Sequence, residues 1–166
     1  MSRRHRLGLA LSFVFAFVVT VMARCSNRPM ITVEADASFE VYSLDGDSYP
    51  MSSPNWRDSG FHGWPILKRC SIPHSTGVEL LDELLSDAAS DAAAKAVPVD
   101  CFRPRHGLRV TDSSGTTDYL ICFECLGFET WSGGRQMPGG GSITRRPESL
   151  FSNTLKTCRS EENVDP

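Results

Sequence analysis

The sequence predicts an α+β fold, in which a small antiparallel sheet packs against one main helix. Two strand-like runs, at about residues 99–110 and 117–128, flank the turn signal Ser113-Ser114-Gly115. Apolar residues at three- and four-residue steps predict a helix over about 77–96, and a shorter one is expected at 149–157. We therefore expect a central hairpin at about 99–128, packed against the main helix, with a short C-terminal helix.

The remaining strands are predicted from alternation of apolar and polar side chains. Residues 31–44 show this pattern and should form one or two short strands, and residues 64–72 should form another. Between them, 45–63 is dense in turn-forming residues and is predicted to be a loop. Residues 132–142 contain so many glycines that we expect a flexible loop there as well.

The main helix has both a start and a stop signal. The sequence Thr76-Gly77-Val78-Glu79 matches a capping box, and Pro98 ends the pattern. Its apolar stripe consists of Val78, Leu81, Leu85, Ala88, Ala92 and Ala96. The alanine-rich second half predicts a close approach to the sheet.

The first 23 residues have the plan of an export leader. Arg3, Arg4 and Arg6 precede an apolar run that ends before a cleavage-type sequence at Ala23. The segment is predicted to be a cleaved signal peptide, with an uncleaved anchor as the alternative. Cys25 would suit a lipoprotein, but Arg24 stands where a small residue is needed. We expect a linker at 24–30, a single domain at 31–158, a disordered tail at 159–166, and an extracytoplasmic location in the periplasm or cell envelope.

Charge and cysteine content narrow the class further. The net charge is −3, and without the leader fourteen basic residues face twenty acidic ones, for a net charge of −6. This balance argues against a nucleic-acid partner. Membrane contact is expected only through the leader, if it is uncleaved or lipidated. Six cysteines in an exported chain predict that some form disulfides, although spacing alone does not give their pairing.

The hairpin carries the residues most suggestive of chemistry. A two-residue turn at Ser114-Gly115 would place His106 opposite Phe123 and Arg105 opposite Glu124, with one face apolar. His106 and Cys125 would then share the inner face, about 7–8 Å apart between backbones. Cys101 and Cys122 would point to the other face. A zinc or copper site formed by Cys101, His106, Cys122 and Cys125 would therefore require a bulge.

Each of these residues has a plainer interpretation. Cys122 and Cys125 are favoured as core residues or halves of disulfides, ahead of metal ligation or thiol redox chemistry. His106 fits a hydrogen-bonded core histidine. Three further groups of residues also have two interpretations each. The arginines could bind an anion or pair with Glu124 or the acidic helix. The loop histidines could complete a metal site near Cys70, and the tryptophans could pack in the protein or hold a ligand. These groups are Arg103, Arg105, Arg109; His62, His74; and Trp56, Trp64, Trp131.

One stretch of sequence also resembles a known group. The pattern Cys101-Phe-x-Pro-Arg-His106-Gly, followed by Ile121-Cys122-Phe123-x-Cys125, is similar to a group of uncharacterised exported bacterial proteins, many of them lipoproteins. The likeness extends to Phe61-His-Gly-Trp64 and covers about 100 residues. It implies export and the domain limits given above, and it implies no particular activity or cofactor.

The sequence thus favours an exported domain of structural or binding type that is not an enzyme. The first alternative is a metal-binding protein that uses His106, Cys125 and Cys122. The second is a thiol–disulfide redox protein that uses Cys122 and Cys125. No nucleotide-binding fingerprint or paired-carboxylate pattern stands out.

Overall fold

A six-stranded antiparallel sheet forms the centre of the protein. The structure is a computed structural model that describes residues 33–48, 60–96 and 102–159. The strands run in the spatial order β2-β1-β3-β4-β5-β6. Their bounds are β1 Ser38–Leu44, β2 Ile66–Ile72, β3 His106–Asp112, β4 Gly115–Cys122, β5 Gly127–Ser132 and β6 Arg135–Ser142. The predicted hairpin therefore lies at the middle of the sheet.

Helices cover one face of this sheet. They are α1 (His74–Ala88), α2 (Asp91–Ala94) and α3 (Glu148–Thr157). Leu80 and Leu84 of α1 and Phe151 of α3 are fully buried in the same apolar cluster as the strand residues Val41 and Leu108. The α+β class, the main helix and the short C-terminal helix are confirmed. Within the described part of the chain, each helix is too short or too polar to span a bilayer.

The opposite face carries a smaller core. Tyr42, Leu120 and Trp131 point to this side and pack with Phe61 and Trp64, which lie in the loop before β2. Successive side chains of a strand alternate between faces, so the helix-covered face takes Val41 while its neighbour Tyr42 enters the second core. The described residues of this loop, from 60 on, pack on part of this face, and a pocket lies beside them.

The register of the central hairpin differs from the predicted one by two residues. His106 pairs with Ile121, Leu108 with Tyr119, and Arg109 with Asp118. The turn is Ser113-Ser114 rather than Ser114-Gly115. Asp112 stabilises it by accepting hydrogen bonds from the backbone N–H and the hydroxyl of Ser114. A two-residue shift keeps every side chain of β3 and β4 on its predicted face but changes its partner across the strands.

Four local predictions were wrong. Helix α1 begins at His74 with Pro73 before it, so Thr76 lies inside the helix and forms no cap. The helix was expected to continue to about residue 96, but α1 ends at Ala88 and a short break separates it from α2. Residues 135–142, expected to be part of a flexible loop, form the edge strand β6. The expected strand over 117–128 ends at Cys122, and a turn at 123–126 leads into β5.

A disulfide fixes the C-terminal helix to the sheet. Cys70 of β2 is bonded to Cys158, directly after α3, across 88 residues of sequence. Lys68 of β2 adds to this attachment by donating hydrogen bonds to the carbonyls of Leu155 and Cys158. A cation at the C-terminal end of a helix also interacts favourably with the helix dipole.

Candidate functional site

A row of polar side chains crosses the face of the sheet that the helices leave open. Glu40 of β1 pairs with Arg109 of β3, Arg109 with Asp118 of β4, and Asp118 with Trp131 of β5. Directly opposite residues in neighbouring strands project to the same face. The four side chains therefore stand side by side, on four strands that are neighbours in the sheet.

Asp118 is the centre of this row. Its residue is only 4% exposed, and its carboxylate accepts two hydrogen bonds from Arg109, at 2.7 and 2.8 Å. A buried carboxylate needs such partners because burial disfavours its charged form. Here burial acts to raise the pKa of Asp118, but hydrogen bonds from Arg109 and His62 outweigh it, so the pKa lies below its usual value. Asp118 is therefore an ionised group under neutral conditions.

His62 reaches Asp118 from a tight turn in the loop before β2. The turn is closed by backbone hydrogen bonds between Phe61 and Trp64, and it places His62 in the left-handed region at φ 52°. His62 Nε2 lies 2.6 Å from Asp118 Oδ2, and its ring stacks on Trp131 at 4.4 Å between centroids. A left-handed conformation in a residue other than glycine is uncommon and often marks a functional position.

The guanidinium of Arg109 is held on two sides. In addition to its paired hydrogen bonds with Asp118, its central carbon lies 5.3 Å from the centre of the Phe61 ring and 5.8 Å from that of Tyr42. Cation–π contacts of this kind favour the charged group over the ring faces. The bond to Asp118 further raises the pKa of Arg109. Arg109 is thus a fixed positive charge, and a third of its side chain is exposed.

Glu40 is occupied in a similar way. One carboxylate oxygen accepts hydrogen bonds from Nε and Nη2 of Arg69, and the other accepts one from the hydroxyl of Tyr42 at 2.7 Å. Burial, together with this bond to Glu40, raises the pKa of Tyr42, so its hydroxyl remains a donor. The two carboxylates of the row are therefore each paired with an arginine.

These side chains line a pocket of about 410 Å³ that is open to solvent. The pocket joins the polar row and His62 to the hydroxyls of the Thr111–Thr116 pair and to a glycine turn between β5 and β6. Its lining consists of Glu40, His62, Arg109, Thr111, Thr116, Asp118, Trp131, Gly133 and Gly134. Its volume lies in the range typical of small-molecule sites.

The predicted cysteine site has a different arrangement. Cys122 and Cys125 are bonded to each other in the turn between β4 and β5, and the two residues are 1% and 3% exposed. The backbone N–H of Arg103 donates to Cys125 Sγ at 3.4 Å. The expectation that some cysteines form disulfides is confirmed for this pair and for Cys70–Cys158. A sulfur in a disulfide is not a thiolate, which is the form that binds a metal.

His106 lies on the helix-covered face, in line with Leu108 of the main core. Its ring packs edge-on against Phe123 at 5.2 Å, and its Nε2 lies 3.3 Å from the hydroxyl of Ser152 in α3. Burial, with a contribution from Arg105, lowers the pKa of His106 to about 4. It is therefore a neutral histidine at neutral pH. It is half-buried, and its Nδ1 is buried without a hydrogen-bond partner among the described residues, so the interpretation as a hydrogen-bonded core histidine is met only in part.

The metal hypothesis stays a prediction. Cys101 lies outside the described residues, and no group of three or more histidine, cysteine or acidic side chains suited to a metal occurs among those that are described. Ligation by Cys122 and Cys125 would first require reduction of their disulfide. His74, the second loop histidine considered, contacts the backbone carbonyl of Glu34 and lies at the start of α1.

The sequence pointed to three residues of the pocket, His62, Arg109 and Trp131, but gave no sign that they lie together. It missed Asp118, which no motif marks. The missing information was the register of the hairpin. Arg109 lies opposite Asp118 only in the observed register, which is shifted by two residues from the predicted one. Pairing of opposite charges could not select that register alone, because the predicted register also paired opposite charges, Arg105 with Glu124. The position of His62 depends on a turn that alternation patterns do not describe.

Known proteins give no further information on the family or function of this chain. No protein-family model, curated protein or solved structure matches the chain. The resemblance to exported bacterial proteins therefore stays a prediction, and the pocket must be interpreted from its own chemistry.

Proposed function

We propose that the protein is an exported binding domain whose ligand occupies the pocket formed by His62, Arg109 and Asp118. The observation that carries this proposal is the buried Asp118 carboxylate, held by Arg109 and His62 in the wall of an open pocket. Burying a charge costs free energy unless it is fully paired, and such arrangements concentrate at functional sites. The main hydrophobic core lies on the other, helix-covered face.

Two features support the exported location. The leader at 1–23 has the order of basic, apolar and small residues that export requires. Two disulfides link four of the six cysteines, and such bonds persist mainly in oxidising compartments. An extracytoplasmic domain with a preformed polar pocket fits a protein that captures a small solute or a group on a larger molecule.

The test is a search for ligands by nuclear magnetic resonance on the oxidised protein. A library of amino acids, sugars, nucleotides, organic acids and phosphate esters is screened for shifts in the backbone amides of Thr116, Gly133 and Gly134. We expect at least one class to shift these amides saturably. Shifts confined to the helix-covered face, or no shifts with any class, would contradict the proposal.

A matched pair of variants localises the effect. His62→Asn removes the imidazole but retains a residue type that tolerates the left-handed conformation. His74→Asn makes the same change at the start of α1, away from the pocket. We expect the first variant to weaken ligand binding at least tenfold and the second to leave it unchanged.

A thiol–disulfide role for Cys122 and Cys125 is a second candidate, supported by their bond across a turn. Cys-x-x-Cys motifs at turns are typical of redox proteins, whereas the near-complete burial of this pair favours a structural bond. Equilibration with glutathione buffers and alkylation of free thiols distinguishes the two. A redox protein would exchange at potentials near those of known oxidoreductases, whereas a structural disulfide, with a potential below about −300 mV, would stay oxidised in all the glutathione buffers.

A further inference from the structure

We propose that the ligand of this pocket presents an oxyanion, either a carboxylate or a phosphate group, to Arg109 and the Thr111–Thr116 pair. The proposal rests on the binding function inferred above and specifies the chemistry of the ligand. It follows from counting which hydrogen-bonding groups of the pocket are already used and which remain.

Every oxygen of the two carboxylates in the pocket already has a partner. Both oxygens of Asp118 accept from Arg109, and one also contacts His62. Both oxygens of Glu40 accept as well, from Arg69 and from Tyr42. A cationic ligand would share carboxylates whose charge Arg69 and Arg109 already balance, and it would therefore gain little.

The donors of the pocket are only partly used. Arg109 gives its Nε and one Nη2 hydrogen to Asp118, and the remaining guanidinium hydrogens have no place on that carboxylate. Arg109 lines the pocket, and a third of its side chain is exposed. Because Asp118 and the rings of Phe61 and Tyr42 already fix the group, an anion would meet a donor that loses little freedom on binding.

The two threonines add donors next to Arg109. Thr111 and Thr116 face each other across the hairpin with their hydroxyls 3.3 Å apart. Only one of the two can donate in that bond, so the other hydroxyl hydrogen is available to a ligand. The adjoining turn consists of Gly133 and Gly134, and a Cβ placed on either would meet nothing within 4 Å. The pocket therefore has space beside its donors.

The charges of the row permit an anion. Glu40 and Asp118 are balanced by Arg69 and Arg109, so the row is close to neutral. An oxyanion bound near Arg109 would thus face a neutralised carboxylate. Guanidinium groups bind carboxylate and phosphate oxygens through directed, charge-assisted hydrogen bonds.

The experiment is a titration of the oxidised protein, at constant ionic strength, with four probes. Acetate and inorganic phosphate represent the two oxyanions, glucose a neutral ligand and tetramethylammonium a cation. We expect saturable shifts of the Thr116, Gly133 and Gly134 amides with acetate, phosphate or both. Tighter binding of acetate would identify a planar carboxylate as the preferred group, and tighter binding of phosphate a tetrahedral one. Glucose and tetramethylammonium should cause no such shifts.

Two variants and one control link binding to the named donors. Thr116→Val removes a hydroxyl while keeping a β-branched shape, and we expect it to weaken oxyanion binding at least fivefold. Thr117→Val is the same change on the next residue of β4, which projects to the other face, and it should have no effect. The double variant Arg109→Gln with Asp118→Asn removes both charges together, leaving no orphan charge, and should weaken binding at least tenfold.

The outcomes separate this inference from the proposed function. Saturable binding of glucose or tetramethylammonium in the pocket, without oxyanion binding, would overturn the ligand class and leave a binding domain. Oxyanion binding that is equal in the Thr116 and Thr117 variants and in the double variant would also overturn it. No response of the pocket to these probes or to the wider library would overturn both.

Discussion

Asp118 shows how a single side chain can depend on its neighbours. Its carboxylate is almost completely buried, and its ionisation is maintained by Arg109 and His62. Because the pKa of Asp118 is lowered in the folded protein, its ionised carboxylate contributes its full stabilisation of the fold above the usual pKa of aspartate. It is lost as the pH falls through the lower folded value.

Asp118→Ala should therefore lower the free energy of unfolding by about 2 to 3 kcal/mol at neutral pH, because it leaves the partly buried Arg109 unpaired. Denaturation in urea measures this difference. Asp47→Ala is the control, since Asp47 is 62% exposed where it contacts Arg105 at 3.1 Å. Exposed ion pairs of that kind contribute less than about 1 kcal/mol. Equal losses in the two variants would argue against the special role of Asp118.

His106 should make stability depend on pH. Its pKa is about 4 in the folded protein, below the usual 6.5, because burial disfavours the imidazolium. The unfolded chain therefore binds a proton first as the pH falls. Stability should be complete above about pH 6.5 and should decrease by up to about 3 kcal/mol by pH 4.

His106→Leu should remove this decrease, which urea denaturation at several pH values would detect as a flatter profile between pH 6.5 and 4. His74→Leu serves as the control, because that histidine lies exposed at the start of α1, and its profile should match the unmodified protein. Identical profiles for all three proteins would show that His106 does not titrate as its burial implies.

At the scale of elements, the approach of α1 to the sheet depends on one glycine. Gly77 lies inside α1, and a Cβ placed there would lie 2.0 Å from Cγ of Phe39 in β1. The sequence predicted a close approach through the alanine-rich second half of the helix. The structure adds a contact at Gly77 that requires the absence of any side chain.

Gly77→Ala should destabilise the protein by about 1 to 3 kcal/mol, because overpacking outweighs the better helix propensity of alanine. Gly127→Ala is the matched control, since its added Cβ would make only ordinary contacts at 3.7 Å and beyond. Thermal unfolding of the two variants gives the comparison. A stabilised Gly77 variant would mean that α1 can move away from Phe39 at little cost.

At the scale of the whole molecule, the two disulfides differ in the length of chain that each one closes into a loop. Cys70–Cys158 joins β2 to the end of α3 across 88 residues, whereas Cys122–Cys125 closes a loop within one turn. In the chain-entropy model, removing the first should cost about 4 to 5 kcal/mol and removing the second about 2 kcal/mol.

Double alanine variants of each pair, compared by guanidinium denaturation, test this order. We expect the Cys70→Ala, Cys158→Ala protein to unfold at clearly lower denaturant than the Cys122→Ala, Cys125→Ala protein. The reverse order would show that the turn disulfide holds more of the structure than its short loop implies. Intact mass after alkylation without reductant checks that both bonds are present in the unmodified protein.

The local sequence determined most of the fold. Periodicity of two predicted the strands of the central hairpin, periodicity of three to four predicted α1, and both together predicted the α+β class. The edge strand β6 was missed because its glycines and Pro138 lack any alternation, and it forms only through pairing with β5. The start of α1 was misplaced because a capping pattern competes with the backbone conformation that Pro73 imposes.

The pocket was decided by tertiary structure. Alternation determines which face a side chain occupies, and a shift of two residues leaves that pattern unchanged, so it could not select the partner of Arg109. The turn at Ser113-Ser114 selected it, and with it the row that joins Glu40 to Asp118. His62 reaches that row through a left-handed turn from a segment 56 residues away. Strand and helix patterns arise from neighbours in sequence, whereas this site arises from contacts between strands and a loop.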